Sequence, residues 1–338
     1  MSEQNNSTND YALEFERPVR ALENQIKELQ EASNGRQNID ISEEIKALQK
    51  KVNSLIKDIY GNLTPWERVQ LSRHPNRPHA IEFIANIFTN FHEIAGDRRF
   101  ANDPAIVSGF AYLGKQRVCI IGIEKGFKTK EKIYHNFGMP RPEGYRKALR
   151  LMQMAGRFRV PVVTIIDTPG AYPGIDAEER GQAAAIAENL EEMFGITTPM
   201  LALVIGEGGS GGALGIGIAD RVLMMEYSVY SVISPESCAS ILWSDPKKAE
   251  IAANSLKLDP HKALELGVID EIIPEPPGGA HRDRKKAFFL VKKKIDQELK
   301  ELVQKNIPSL LEARFNKFRV MGNNTIDFNG DITVPERG

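Results

Sequence analysis

Gly206-Glu-Gly-Gly-Ser-Gly-Gly-Ala-Leu-Gly215 follows the apolar run Met200–Ile205 and leads into the small-residue stretch Gly217–Asp220. An apolar strand that enters a glycine-rich turn and then a helix leaves backbone N–H groups unpaired at the helix start, where the helix dipole favours negative charge. The stretch reads as a place to hold an anion. About forty residues earlier, Pro161–Ile166 runs into Asp167-Thr-Pro-Gly-Ala-Tyr-Pro-Gly174 and then a helical segment, Ala177–Phe194. Two such units in tandem predict one pocket lined by backbone, whose chemistry uses amide dipoles more than charged side chains.

The rest of the chain supplies a core and little else that is reactive. Its 338 residues are 41% hydrophobic, enough for a sizeable core. The formal net charge of −1 gives no global field for nucleic acid or an anionic membrane. Cys119 lies in an apolar run and Cys238 stands alone, so two cysteines make neither a disulfide framework nor a four-cysteine zinc site. Both read as small core residues. The polar start of the chain and the lack of a long apolar run predict neither a signal peptide nor a membrane span.

Val19, Leu22, Ile26 and Leu29, and then Ile41, Ile45, Leu48, Val52, Leu55 and Ile59, recur at helical spacing. They predict a helical hairpin over residues 1–62, an assembly arm expected to pack on a partner subunit. Thr64-Pro65 restarts a helix. His74, His79 and His92 follow, and only His79 with Glu82 has a ligand-like spacing with no third ligand, so no metal is expected. From Ala105 the period becomes that of short strands: Ala105–Tyr112, Arg117–Glu124, Val160–Asp167, Met200–Ile205, Arg221–Met225 and Val229–Ile233. Helices at Gly144–Phe158 and Ala177–Phe194 separate them. This is an α/β core of repeated strand-strand-helix units over residues 63–322, closed by a basic amphipathic helix near residues 283–305. Residues 323–338 are polar and without periodicity, and are expected to be disordered.

The glycine loop also matches two other patterns. Gly206, Gly208 and Gly211, with Glu226 twenty residues beyond the first, fit a dinucleotide fingerprint. Only the nine residues Gly211–Ala219 separate the loop from the next strand, which is too short for a crossover helix. Gly208–Gly212 fits a nucleophile elbow around Ser210, with His261 or His281 and Asp245, Asp259 or Asp270 as candidate partners that nothing in the sequence brings together. The oxyanion-hole reading uses the whole stretch, with N–H groups of Gly211, Gly212 and Ala213 facing an open pocket.

Longer motifs then point to a family. Asn136-Phe-Gly-Met-Pro-Arg-Pro-Glu-Gly-Tyr-Arg-Lys-Ala-Leu-Arg150, Ile166–Gly174, Ala177–Gln182, the glycine loop, Tyr230–Glu236, Cys238–Trp243 and Ile273–His281 resemble, in order, the carboxyltransferase α subunit of the multi-subunit, bacterial and plastid type acetyl-CoA carboxylase. The resemblance implies a ClpP/crotonase-like fold of repeated ββα units. It implies transfer of a carboxyl group from carboxybiotin, held on a biotin carboxyl carrier protein, to acetyl-CoA, giving malonyl-CoA for fatty acid synthesis. The implied partners are a zinc-ribbon β subunit in an α2β2 heterotetramer, the carrier protein and, in the wider complex, biotin carboxylase. The chain has two cysteines and so cannot carry that ribbon itself. Its site is expected to be half a site, in bacterial cytoplasm or plastid stroma. Gly211 and Gly212 are the expected oxyanion donors to biotin, Gly208, Gly209 and Ala213 shape the turn, and Ala171, Tyr172, Pro173 and Gly174 form a cleft wall. A noncatalytic assembly subunit is the remaining alternative. Arg141, Arg146, Lys147 and Arg150 flank Tyr145 as a basic helix face, either solvated or turned to CoA phosphates.

Overall fold

The computed structural model describes residues 11–34, 42–322, 325–326 and 332–333. In chain order the elements are α1 (Arg17–Asn34), α2 (Ser42–Gly61), α3 (Pro65–Ser72), α4 (Ala80–Ile87), β1 (Thr89–Glu93), β2 (Ile106–Leu113), β3 (Gln116–Ile123), α5 (Thr129–Tyr134), α6 (Pro142–Phe158) and β4 (Val162–Thr168). There follow α7 (Ile175–Glu179), α8 (Gln182–Phe194), β5 (Met200–Gly209), α9 (Ser210–Leu214), β6 (Arg221–Met225), β7 (Val229–Ser231), α10 (Pro235–Trp243), α11 (Ala249–Leu256) and α12 (Pro260–Glu265). The last are β8 (Glu271–Ile273), α13 (Arg284–Leu302), α14 (Ile307–Arg319), β9 (Thr325–Ile326) and β10 (Ile332–Thr333).

One sheet runs β1-β2-β3-β4-β5-β6-β8, antiparallel at its first two pairings and parallel from β3 onward. Its central strands alternate side chains to two different cores. Val162 and Ile166 with Ala202 and Val204 face α6 and α8, whereas Val163 and Ile165 with Leu201, Leu203 and Ile205 face α4 and α13. A strand buried on both faces reads as an unbroken apolar run, which is why both stretches look alike in sequence. β5 changes partner along its length: Leu201–Val204 pair with β6, and Glu207–Gly209 pair with β7. Its tip is thereby carried past the main sheet.

The predicted strands stand close to their expected places, and the fold is the α/β arrangement anticipated. Three elements differ from expectation. Gly181, with φ of +80°, splits the predicted helix Ala177–Phe194 into α7 and α8. β1 was not anticipated, because its side chains are mostly exposed and alternate no apolar face. The C-terminal helix is followed by a second, α14, started by the Asn306 side chain accepting from the Ser309 N–H. Of the polar tail, only the antiparallel pair β9 and β10 falls within the described residues, and the expected disorder there lies outside them. Ile41 and the link between the arm helices also lie outside.

The arm packs on its own chain. Val19 and Ile26 of α1 meet Val52, Ile56 and Tyr60 of α2, and this cluster includes Leu71 and Tyr227 of the core. Glu16, just before α1, fastens it: its carboxylate accepts from the Leu13 N–H at 2.8 Å, from the Tyr60 hydroxyl and from His281 Nε2 at 2.9 Å. Arg282 pairs with Glu23 beside it. Burial opposes ionisation of Glu16, but the bonds from His281 and Tyr60 outweigh it and hold its pKa at about 2, against an ordinary 4.5. A carboxylate with a depressed folded pKa stabilises the docked arm above its unfolded pKa, and this contribution is lost as pH falls through the folded value. Hydrogen-exchange protection of α1 should therefore fall between about pH 5 and pH 2. In Glu16→Gln it should already be low at pH 7 and change little over that window, and a variant as protected and pH-sensitive as the wild type would contradict this account of the clasp.

Candidate functional site

Two turns meet at the C-terminal ends of β4 and β5, where parallel strands of an open α/β sheet commonly place a ligand. The β4 turn is fixed by its own side chains. Thr168 Oγ1 accepts the Gly170 N–H at 3.0 Å, and the Tyr172 N–H donates to the Pro140 carbonyl at 3.0 Å. The Gln182 amide donates to the carbonyls of both Pro140 and Tyr172. Arg141 lies over the Tyr172 ring, 4.7 Å from its centroid.

The β5 turn packs on it backbone to backbone. A Cβ on Gly212 would lie 2.5 Å from the Ala171 nitrogen, and one on Gly209 would lie 2.8 Å from the Thr168 carbonyl oxygen with Pro169 closer still. Glycine is required at both positions by this approach. Gly211 is different: a Cβ there would meet only Ile186, at 3.7 Å. Ser210 has φ of +50°, a left-handed residue leading into the right-handed turn of α9. Such a change of hand turns successive N–H groups toward one point and makes a small anion-binding concavity. Among the described residues, the N–H groups of Gly211 and Gly212 have no hydrogen-bond partner, while the Gly212 carbonyl accepts from the buried Tyr145 hydroxyl. Gly208, Gly212 and Ala213 are buried, Gly211, Ala171, Tyr172 and Gly174 are half-buried, and Pro173 is exposed.

Beneath the turns is a ring of charge that the sequence reading missed. Lys125 Nζ lies 2.7 Å from Asp167 Oδ1 and 2.6 Å from Glu207 Oε2. Glu207 also meets Arg73 Nε at 2.6 Å, Arg73 meets Glu236 at 2.5 Å, and His79 Nδ1 lies 3.2 Å from Asp167. Burial disfavours charge on Asp167 and on Lys125, but their attraction outweighs it, holding the carboxyl well below its ordinary range and raising the amine. The signal was present in the sequence. Three apolar strand runs are each followed within two residues by an ionisable member of the ring, Lys125, Asp167 and Glu207.

Other candidate residues are committed elsewhere. Lys147 is fully buried and donates to Asn102 Oδ1 and to the carbonyls of Asp103 and Ile106; burial pushes its pKa down to about 8. Arg146 pairs with Asp97, and Arg150 donates to the Gly96 carbonyl. Lys147 is therefore not part of a solvated face, which corrects that expectation, while Arg141, Arg146 and Arg150 are half-buried. No hydrogen bond joins Ser210 to a histidine among the described residues; the His261 N–H donates to Asp259, and His281 is held by Glu16. Cys119 is a buried core residue whose thiol burial pushes up to about 12. Glu16, His74 and His281 bring three potential ligand atoms within 4.8 Å of one another. They do not suit a metal: His74 Nδ1 accepts the Asn76 N–H, which leaves the proton on Nε2, the nitrogen facing the carboxylate.

The large cleft beside the arm, about 840 Å³, contains none of the turn residues. The concavity reaching Gly208 and Gly209 is only about 20 Å³. The concavity at Gly208 and Gly209 is too small on its own to enclose a ligand. The family profile described as acetyl co-enzyme A carboxylase carboxyltransferase-like matches residues 12–322. The chain belongs to that family. It is 54% identical over 310 residues to the acetyl-coenzyme A carboxylase carboxyl transferase subunit alpha of Methylococcus capsulatus, covering 92% of this chain and 96% of that one. It is 53% identical to the subunit of the same name from Geobacter metallireducens, covering 92% and 97%. Among solved structures, the transcarboxylase 12S core aligns with a TM-score of 0.56 at 19% identity, over 70% of this chain and 44% of that one. The geranyl-CoA carboxylase β subunit of Pseudomonas aeruginosa gives 0.52 at 17% identity, over 72% and 46%. These likenesses establish the crotonase-like fold of a carboxyltransferase subunit.

The family's glycine loop thus has two kinds of glycine in this chain. Gly212→Ala should push the two turns apart and lower unfolding stability by about 1–3 kcal/mol, whereas Gly211→Ala should stay within about 1 kcal/mol of the wild type. Denaturant titration of each variant measures the difference, and equal losses at the two positions would contradict the packing described.

Proposed function

We propose that this carboxyltransferase subunit supplies the biotin half of an active site. Carboxybiotin on the carrier protein would lie with its ureido oxygen against the Gly211 and Gly212 N–H groups, and acetyl-CoA would be held mainly by a zinc-ribbon β subunit in an α2β2 assembly. The observation that carries this reading is the pair of unpartnered N–H groups above a turn that admits no side chain at Gly209 or Gly212. Ala171, Tyr172, Pro173 and Gly174 would form the facing wall.

Biotin, when bound, supplies the carboxyl group and a ureido nitrogen able to take up a proton. The chain's task is electrostatic. The fixed Gly211 and Gly212 N–H donors would stabilise negative charge at the ureido oxygen without having to reorient. Residues Gly208 and Ala213 keep those donors in place, and Arg141 on Tyr172 stiffens the wall. No acid or base is needed from this chain, in agreement with the lack of a free ionisable side chain in the loop.

An open site calls for a lid, and exposed apolar side chains flank it. Ile175 follows the β4 turn and is 80% exposed, Leu214 ends α9, and Val232 follows β7 at 76%. Apolar surface of this kind beside a shallow site favours a protein partner. Among the described residues no helix is long and apolar enough to cross a membrane. With bacterial relatives, this favours work in the bacterial cytoplasm.

The decisive experiment is malonyl-CoA decarboxylation with free biotin. The chain alone should be inactive and should gain turnover on mixing with the β subunit; full activity alone overturns the half-site reading. In the mixed enzyme, Gly211→Val should fold and lose on the order of 100-fold in turnover through crowding of the donors. Ser210→Ala should stay within about threefold, and a fluorophosphonate should leave Ser210 unlabelled, since loss of a true serine nucleophile costs orders of magnitude more. Labelling together with an inactive Ser210→Ala would restore the serine hydrolase as the better account.

A further inference from the structure

The backbone ladder between β4 and β5 fails just where the site begins. Ile166 pairs with Val204, yet the next pair is Thr168 with Gly208, so the β5 side carries extra residues through an irregular step. Over this step main-chain pairing does not set how far apart the two strand ends lie. Side chains take over the task. The Glu207 N–H donates to Asp167 Oδ1 at 2.9 Å, replacing a ladder bond with a side-chain one. Lys125, arriving from the end of β3, then joins Asp167 and Glu207 through one ammonium.

We infer that Lys125 is a positioning residue for carboxyl transfer, holding the β4 and β5 turns at the spacing that aims the Gly211 and Gly212 N–H groups. The inference rests on reading those turns as the biotin pocket. The side chain is suited to the role. Asp167 lies directly before the Thr168–Gly174 turn, and Glu207 lies directly before Gly208, so a shift of either carboxylate moves a turn. Room for the clamp is built into the backbone, since a Cβ on Gly206 would sit 2.5 Å from Asp167 Oδ1, and one on Gly138 would sit 2.6 Å from Lys125 Cγ. Both carboxylates are almost wholly buried, and two buried anions at this separation repel unless a cation stands between them. Arg73 helps Glu207 from α3 but does not reach Asp167, so Lys125 alone bridges the pair among the described residues.

Lys125→Met keeps the length of the side chain and removes the charge, but it leaves two facing carboxylates and can unfold the strand ends. The double variant Lys125→Met with Glu207→Gln removes one anion together with the cation, so the net buried charge is unchanged, and the single variant Glu207→Gln, which keeps Lys125, reports separately the loss of the Arg73–Glu207 pair. Each is mixed with wild-type β subunit, with thermal unfolding and gel filtration as controls, and turnover is followed with malonyl-CoA and biotin. The double variant should assemble and melt near the wild type, with kcat lower by on the order of 100-fold, the scale of a misplaced reacting group, and KM for malonyl-CoA within twofold. A purely structural ion pair predicts instead that restoring charge balance restores kcat. A folded, assembled double variant with wild-type kcat overturns the inference while leaving the carboxyltransferase reading intact. A wild-type mixture that turns over no malonyl-CoA overturns that reading itself.

Discussion

The close pairing of β4 and β5 is the constraint on which the molecule depends. Both strands are buried on both faces, so their side chains fill two cores and leave no freedom in register. The turns that leave them touch through backbone at Gly209 and Gly212, where no side chain can intervene. With the turn of β4 pressed against that of β5, the start of α9 is fixed in direction, and its amides are presented by a rigid support at no cost in reorganisation.

Such a support asks for a dense packing of unlike parts. The Tyr145 hydroxyl reaches the Gly212 carbonyl from α6, and Asn189 of α8 donates to the carbonyls of Tyr145 and Gly215. Helices on one face of the sheet are therefore hydrogen-bonded to the glycine turn as well as packed beneath it. Charge is handled in the same economical way. Under the turns Lys125 stands between Asp167 and Glu207, and Arg73 between Glu207 and Glu236, so each carboxylate has a cation beside it.

How much of this was legible from the sequence depended on how local the signal was. Apolar runs buried on both faces and glycine turns are local, so β4, β5, the turn residues and the family motifs could be read directly. β1 could not, because an exposed edge strand such as Thr89–Glu93 carries no apolar alternation. The break at Gly181 was hidden in a helical pattern in which one glycine is usually tolerated. The charge ring is built from five separated stretches, and only the fold brings Arg73, Lys125, Asp167, Glu207 and Glu236 together. The arm was read correctly as helical; a hydrophobic stripe does not name what it covers, and part of this one covers Leu71 and Tyr227 of the same chain. Lys147 was misjudged for a related reason: a helical lysine surrounded by basic neighbours looks solvated until the Asp103–Ile106 loop folds over it.

The clasp between Glu16 and His281 joins residues 265 positions apart, and Glu23 with Arg282 repeats the span. A ribosome adding about 5–20 residues each second needs on the order of 10–50 s to supply the second half of that contact after the first. A segment that emerges well before the core is thus among the last to find its seat. During that interval the apolar stripe of α1 and α2, with Val19, Ile26, Val52 and Ile56, has only itself to cover. Pairing the two helices as a hairpin gives the waiting segment a provisional shelter, and the acidic first turn of α2, with the exposed lysines along the same helix, keeps it in solution until the core is complete.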